Sequence, residues 1–298
     1  MLIYQGELMR KILFVVNPVA GNGDGKKLIP ILKDEFRYCD NEIIVSMKNG
    51  IITQIVKEKL SEDKYTDIIA VGGDGTLTEV LNGIIDLDIN IGIIPIGSGN
   101  DFSKTIKINK NIESCIDIIK RNHVRKIYTG NINGINFINV IGIGIDAAIL
   151  NYKDNSKFLK GKLNYLVSTI KGIFNYSPDE KKIYIDGKLI KAMSIFIAVG
   201  NGMYIGNGMK ITPNSNVENE KFGICIISDL SKYTLLKSIT KLYKGIHSEV
   251  DGVEMYEGKE IIIDFEKETA VDIDGNLVKC NSVCIKKNKL RVNFLVKG

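Results

Sequence analysis

Residues 67–82 read DIIAVGGDGTLTEVLN, and the two halves of this stretch have different periods. Asp67 to Val71 is a short apolar run, the pattern of a strand covered on both faces. It runs directly into Gly72-Gly73-Asp74-Gly75-Thr76. Beyond that turn Leu77, Val80, Leu81 and Ile84 recur at spacings of three and four, which marks one face of a helix.

The same alternation extends in both directions. Upstream, Lys11 to Val16 (KILFVV) is a strand that ends in Asn17-Pro18. A glycine-rich loop follows, then a helix over Lys26 to Phe36, a strand over Glu42 to Met47 and a helix over Ile51 to Leu60. Downstream, Ile91 to Ile96 (IGIIPI) is a fourth strand with a glycine-rich exit, and Asn111 to Arg121 is an amphipathic helix. Strands alternating with helices predict a parallel sheet covered on both faces. From about Lys126 the pattern changes to strand after strand. Asp186-Gly187 and Asp274-Gly275 are hairpin dipeptides between β-rich runs. Helical interruptions are expected near Leu163 to Phe174 and Thr234 to Tyr243. The expected fold is an N-terminal α/β domain with a parallel sheet over 1–128, then an antiparallel β-rich domain over 129–289.

Bulk properties fit two domains. The 298 residues exceed one usual domain, and 44% apolar with 25% charged content suits a globular protein with a good core. A net charge of +5 is too small, and too dispersed, to argue for nucleic acid; it suits anionic phosphate or an anionic membrane surface. Cys39, Cys115, Cys225, Cys280 and Cys284 form no CxxC pairs, and His123 and His247 lie far apart, so zinc has no support. Scattered thiols in odd number predict a reduced, cytoplasmic setting. No segment reaches the roughly 18 apolar residues of a membrane span, and the first eight residues read as a short extension without a signal peptide's apolar run.

Three glycine-rich turns follow strands of the first domain, at the end where open parallel sheets bind ligands. They are Asn17-Pro18-Val19-Ala20-Gly21, Gly72 to Thr76, and Gly97-Ser98-Gly99-Asn100-Asp101. Glycine lets a phosphate approach backbone N–H groups, and Thr76 opens a helix whose N-terminus favours an anion. Asp74 and Asp101 beside a polyphosphate imply Mg²⁺ between them and the phosphates. Gly21 to Lys27 (GNGDGKK) fits neither a P-loop nor GxGxxG, and protein-kinase motifs are absent. Any one of these turns alone reads as a tight connection; three at successive strand ends read as a nucleotide site. Asp274-Gly275 is locally an ordinary hairpin signal. Lys153 to Lys162 (KDNSKFLKGK) reads as a solvated loop or as a face for anionic headgroups, and Asp146 as a turn or cleft residue.

In order, NPVAG, GGDGTLTEVLNGI, IPIGSGNDF, GIGIDA and IDGN resemble the diacylglycerol kinase catalytic-domain family, which includes bacterial lipid kinases and sphingosine kinases. The likeness runs from residue 11 onward. GGDGT alone also occurs in NAD kinases and phosphofructokinases. The resemblance implies an ATP-dependent kinase of a lipid hydroxyl, with diacylglycerol or a similar neutral lipid as acceptor, transient membrane-surface contact and Mg²⁺ with ATP. It implies ATP contacts from Asn17, Pro18, Gly21, Ser46, Gly72, Gly73, Asp74, Gly75, Thr76, Ser98, Gly99 and Asn100. Asp74 and Asp101 would hold Mg²⁺, Asp274 would be the general base, and a strand within 290–298 would return to the first domain. A second, structural Mg²⁺ would lie at Val217, Glu220 and Phe222.

The chain departs from the family pattern at several points. Asn276 replaces a glutamate, Tyr128 an acid, Glu220 an aspartate and Lys221 a glycine. Two other readings therefore stand beside the first: a kinase of a soluble acceptor such as NAD, and a nucleotide-binding regulator with weak turnover. A homodimer through an unpaired strand edge is compatible with any of these.

Overall fold

The computed structural model describes residues 10–46, 50–84, 88–145, 172 and 177–298. Asp146, the Lys153 to Lys162 stretch and nearly all of the helix expected near Leu163 to Phe174 lie outside them. The chain divides into two compact units. The first takes 1–97, 108–126 and 292–298; the second takes 98–107 and 127–291.

The first unit is built on a six-stranded sheet in the order β2-β1-β3-β4-β15-β5. Its strands are β1 (Lys11–Val16), β2 (Asp40–Val45), β3 (Asp67–Gly72), β4 (Asn90–Pro95), β5 (Val124–Ile127) and β15 (Val292–Leu295). The β1–β2, β1–β3, β3–β4 and β4–β15 pairs are all parallel. The apolar runs behave as their composition requires: Ile12 to Val16 and Ile68 to Val71 are fully buried. Helices α1 (Ala20–Glu35), α2 (Ile52–Glu62), α3 (Asp74–Gly83) and α5 (Ile112–Arg121) connect the strands. Gly83 is where α2 and α3 approach closely, since a Cβ there would stand 2.6 Å from the Val56 side chain.

One expectation is corrected. The glycine-rich segment after Val19 is helical from Ala20, six residues before the expected start. Gly21 and Gly23 adopt φ of +64° and +97°, so the first turns contain left-handed residues that only glycine takes readily. That also hid the helix from a propensity reading.

Asp67, at the start of β3, is fully buried and carries a bidentate pair with Arg10 at 2.8 and 2.9 Å. Thr66 Oγ1 (2.6 Å) and Asn90 Nδ2 (3.2 Å) also donate to it. These bonds fix the lower ends of the three central strands.

The second unit is a nine-stranded sheet in the order β12-β11-β10-β8-β13-β14-β6-β7, with β9 pairing β10 and β13. The strands are β6 (Gly130–Ile132), β7 (Ile135–Phe137), β8 (Val140–Gly144), β9 (Asp179–Ile185), β10 (Lys188–Gly200), β11 (Phe222–Ser228), β12 (Val253–Gly258), β13 (Glu260–Ile273) and β14 (Asn276–Lys287). Neighbours along this sheet are antiparallel. Both hairpin dipeptides turn as read. Asp186 and Gly187 have φ of +47° and +82°, and Asp274 and Gly275 of +51° and +91°.

Alternation places Ile141, Ile143, Ile197, Val199, Val271 and Ile273 in one core. Val140, Ala198, Cys225 and Ile227 face a second core, against which α6 (Lys232–Lys244) packs. A short helix, α4 (Asp101–Thr105), belongs to this unit.

Candidate functional site

The expected nucleotide residues fall in two groups, one in each unit. In the first unit they lie at the carboxyl ends of parallel strands, joined by backbone bonds. Asn17 N donates to Val71 O (3.0 Å), Ser46 N to Val16 O (2.9 Å), and Ile96 N to Gly72 O (2.9 Å). Asn17 Nδ2 reaches Thr76 Oγ1 at 3.3 Å, so the first and second of the glycine-rich turns are tied through side chains as well. Gly21 packs so tightly that a Cβ would stand 2.7 Å from the Ile96 carbonyl oxygen.

Pro18, Ser46, Gly72 and Thr76 are buried, whereas Gly73, Asp74 and Gly75 are half-exposed. The first helical bond of α3 runs from Leu77 N to Gly73 O at 3.1 Å. The N–H groups of Asp74, Gly75 and Thr76 precede it, at the positive end of the helix. A cradle of this kind suits phosphate oxygens.

In the second unit Ser98 is exposed and Gly99 half-exposed, and Asn100 is buried at φ +52°, capping α4. Both oxygens of Asp101 are engaged, Oδ1 by Lys104 Nζ at 2.6 Å and Oδ2 by Asn207 N at 2.8 Å. Lys104 Nζ also donates to Gly99 O at 3.0 Å. The segment 201–207 then leads to the hairpin. Asn139 Nδ2 donates to Tyr204 O (2.9 Å), and Met203 N to Thr105 Oγ1 (3.0 Å).

Asp274 is buried, and its carboxylate accepts three backbone N–H bonds. Ile138 N reaches Oδ2 at 2.8 Å; Asn139 N and Val140 N reach Oδ1 at 3.0 and 2.9 Å. Such donors fix the orientation of a buried carboxylate. Asn139 Oδ1 is buried there with no hydrogen-bond partner among the described residues. Asp101 and Asp274 are thus joined through 201–207 and Asn139, two carboxylates linked inside one unit.

The sequence reading missed Lys104, Asn139, Asn201 and Asn207. Lys104 had a local signal, its i,i+3 spacing from Asp101. Asn201 and Asn207 each precede a glycine, but their partners follow from tertiary packing.

Two of the residues expected around a structural Mg²⁺, Val217 and Glu220, are engaged within the protein. Glu220 already accepts from Lys259 Nζ and, at 3.3 Å, from the Tyr128 hydroxyl. The Val217 carbonyl accepts from Tyr128 N at 2.7 Å. Lys259 holds the Glu220 carboxyl below its usual range, and Glu220 raises the lysine in turn. That pair is solvent-exposed. Beside it Lys287 lies 4.6 Å from the Phe222 ring centroid and donates to Asn201 Oδ1, and burial pushes it down to about 7. Among the described residues no group of three His, Cys, Asp or Glu side chains could hold a metal, and no helix is long and apolar enough to cross a membrane.

Known proteins share both units. The family model for the diacylglycerol kinase catalytic domain matches residues 11–132, and that for a YegS C-terminal NAD kinase beta sandwich-like domain matches 139–286. A Staphylococcus aureus protein named "putative lipid kinase" is 31% identical over 243 residues, 79% of each chain. A Bacillus subtilis diacylglycerol kinase is 25% identical over 273 residues, 90% of each. The crystal structure of a "putative diacylglycerol kinase" from Bacillus anthracis superposes with a TM-score of 0.81 at 27% identity, covering 100% of this chain and 99% of that one. With its α/β unit, its β-rich unit and both family matches in register, the chain belongs to the diacylglycerol kinase catalytic-domain family, kinases that phosphorylate an alcohol.

Proposed function

We propose that this chain transfers the γ-phosphate of ATP to the hydroxyl of diacylglycerol or a similar neutral lipid, with Asp274 as general base. The observation that carries the reading is the seat of Asp274, a buried carboxylate fixed at a hairpin turn by three backbone N–H groups. A base must be preorganised before its proton arrives, and a positioned one contributes roughly 10²- to 10⁴-fold.

In the proposed step the lipid oxygen attacks the γ-phosphorus, and its proton passes to the Asp274 carboxylate. A new P–O bond forms as the bond to the β-phosphate oxygen breaks, leaving ADP and a phosphorylated lipid. Asn17, Pro18, Gly21, Ser46 and the Gly72 to Thr76 turn hold phosphates on the first unit; Ser98, Gly99 and Asn100 do so on the second. When bound with ATP, Mg²⁺ neutralises charge on the transferred group. Asp74, half-exposed at the start of α3, suits that hard cation directly. Asp101, bonded to Lys104 and Asn207, would be the second carboxylate to hold it. Lys104 next to the phosphate turn adds a fixed positive charge. The lipid acceptor requires transient contact with a membrane surface from the cytoplasmic side.

The test is phosphate transfer from γ-labelled ATP with Mg²⁺ to a mixed-lipid extract in detergent micelles, followed by resolution of the organic phase. A labelled lipid is expected, and its identity names the acceptor. Label appearing only in water-soluble product overturns the lipid acceptor in favour of a soluble one. ATP binding without any transfer points to a regulator, with Tyr128 and Asn276 the residues to exchange first.

A further inference from the structure

Helix α6 is built unlike the other long helices of the chain. α1, α2, α3 and α5 each bury at least two apolar side chains completely. α6 buries none: only Ser238 is fully covered, and Leu235, Leu236, Ile239 and Leu242 stay half-exposed where they pack against the sheet. Its opposite face carries Tyr233, Lys237, Lys241 and Lys244, spaced by four, four and three, which is one stripe along the helix. The helix contains no acidic residue. Tyr233 is 66% exposed, and Lys237 Nζ sits 4.3 Å from its ring centroid. Tyr243 and Ile246 at the far end are also exposed. Among the described residues Lys241 alone of the stripe has an acidic partner, Glu249 at 3.2 Å, and that pair is solvent-exposed.

We propose that α6 is the element through which the second unit docks on an anionic phospholipid bilayer. Lysines spaced along one helix face meet lipid phosphates, and each is worth most within a Debye length of the charged surface. Tyrosines interleaved with them present an apolar body with a polar tip, the side chain that settles at a bilayer interface. The half-exposed leucines put further apolar area at the margins of the stripe. The helix also bears on the candidate site within its own unit. Lys210 N donates to Leu242 O at 2.9 Å, and Tyr243 lies beside Gly208, next to the Asn207 that holds Asp101. A bilayer against α6 therefore lies along the segment that joins the two carboxylates. This inference deepens the lipid-acceptor reading and rests on it for its purpose, but vesicle binding is measured without turnover.

The experiment is cosedimentation of the full chain with vesicles of phosphatidylglycerol and phosphatidylcholine, and with phosphatidylcholine alone. Two triple variants are compared: Lys237→Ala, Lys241→Ala and Lys244→Ala on α6, and Lys182→Ala, Lys188→Ala and Lys191→Ala on the exposed β9–β10 hairpin. Every one of these side chains is at least part-exposed, so both variants keep the wild-type melting temperature. The α6 variant is expected to lose about 100-fold in affinity for anionic vesicles, the scale of three lysines at such a surface, and the hairpin variant little. Rate with a short-chain, water-soluble diacylglycerol stays unchanged in both. Equal losses in the two variants, undiminished binding of the α6 variant, or equal binding of the wild type to neutral vesicles overturns the inference. A chain that phosphorylates no lipid yet needs α6 for vesicles sinks the lipid acceptor alone. A lipid kinase indifferent to α6 sinks the docking helix alone.

Discussion

Asp67 in the first unit and Asp274 in the second are both buried, and the two are held by different means. Asp67 in the first unit is answered by side chains: the Arg10 guanidinium, the Thr66 hydroxyl and the Asn90 amide. Asp274 in the second is answered by the main chain of 138–140. A guanidinium cancels the charge it binds, so Asp67 is spent on joining strands. The three peptide N–H groups orient the Asp274 carboxylate at the turn.

The sharpest break of this comparison is Asp274→Asn. Phosphate transfer is expected to fall by about 10²- to 10⁴-fold while ATP affinity, measured by calorimetry, stays near wild type. An unchanged rate would reduce Asp274 to a turn residue and make the two aspartates alike. Next in size is Asp67→Asn, which leaves Arg10 facing an uncharged amide. Urea unfolding should show a loss of about 3 kcal/mol, with the rate per folded molecule preserved.

The smallest effect belongs to His247, a buried polar group that is only half answered. Its Nε2 donates to Ile211 O at 3.0 Å, and Nδ1 has no partner among the described residues. Burial pushes this imidazole below its usual range. The unfolded chain therefore binds the proton first as pH falls. Stability should decline as pH drops below about 6.5, by at most about 1.4 kcal/mol per pH unit, and His247→Gln should flatten that limb of the urea-midpoint profile.

Much of the fold is legible in the sequence because its signals are local. Ile68 to Val71 and Ile12 to Val16 are apolar runs of strand length, and they became the buried parallel strands. Asp-Gly at 186 and 274 needs positive φ, and both pairs adopt it. The start of α1 was illegible because Gly21 and Gly23 belong to a helix only through tertiary packing. The site divides the same way. The glycine turns are visible as strings, but the cradle of Asp274 is made of N–H groups at 138–140, whose side chains say nothing about it. The Lys259–Glu220 pair was equally hidden. Lys259 meets Glu220 only because β11 pairs with β12 in the register that sets Phe222 opposite Gly258.

Strand β15 lies between β4 and β5 in the first sheet, although it follows the whole second unit in the chain. During synthesis the ribosome therefore releases four strands of that sheet and then β5, long before the strand that separates them. Until residues 292–295 emerge, β4 exposes a parallel pairing edge that has no partner of its own. Such an edge folds slowly and invites association with other chains. The first unit can be finished only after the second has been made, so a nascent chain cut short before residue 292 has glycine turns but no completed sheet beneath them.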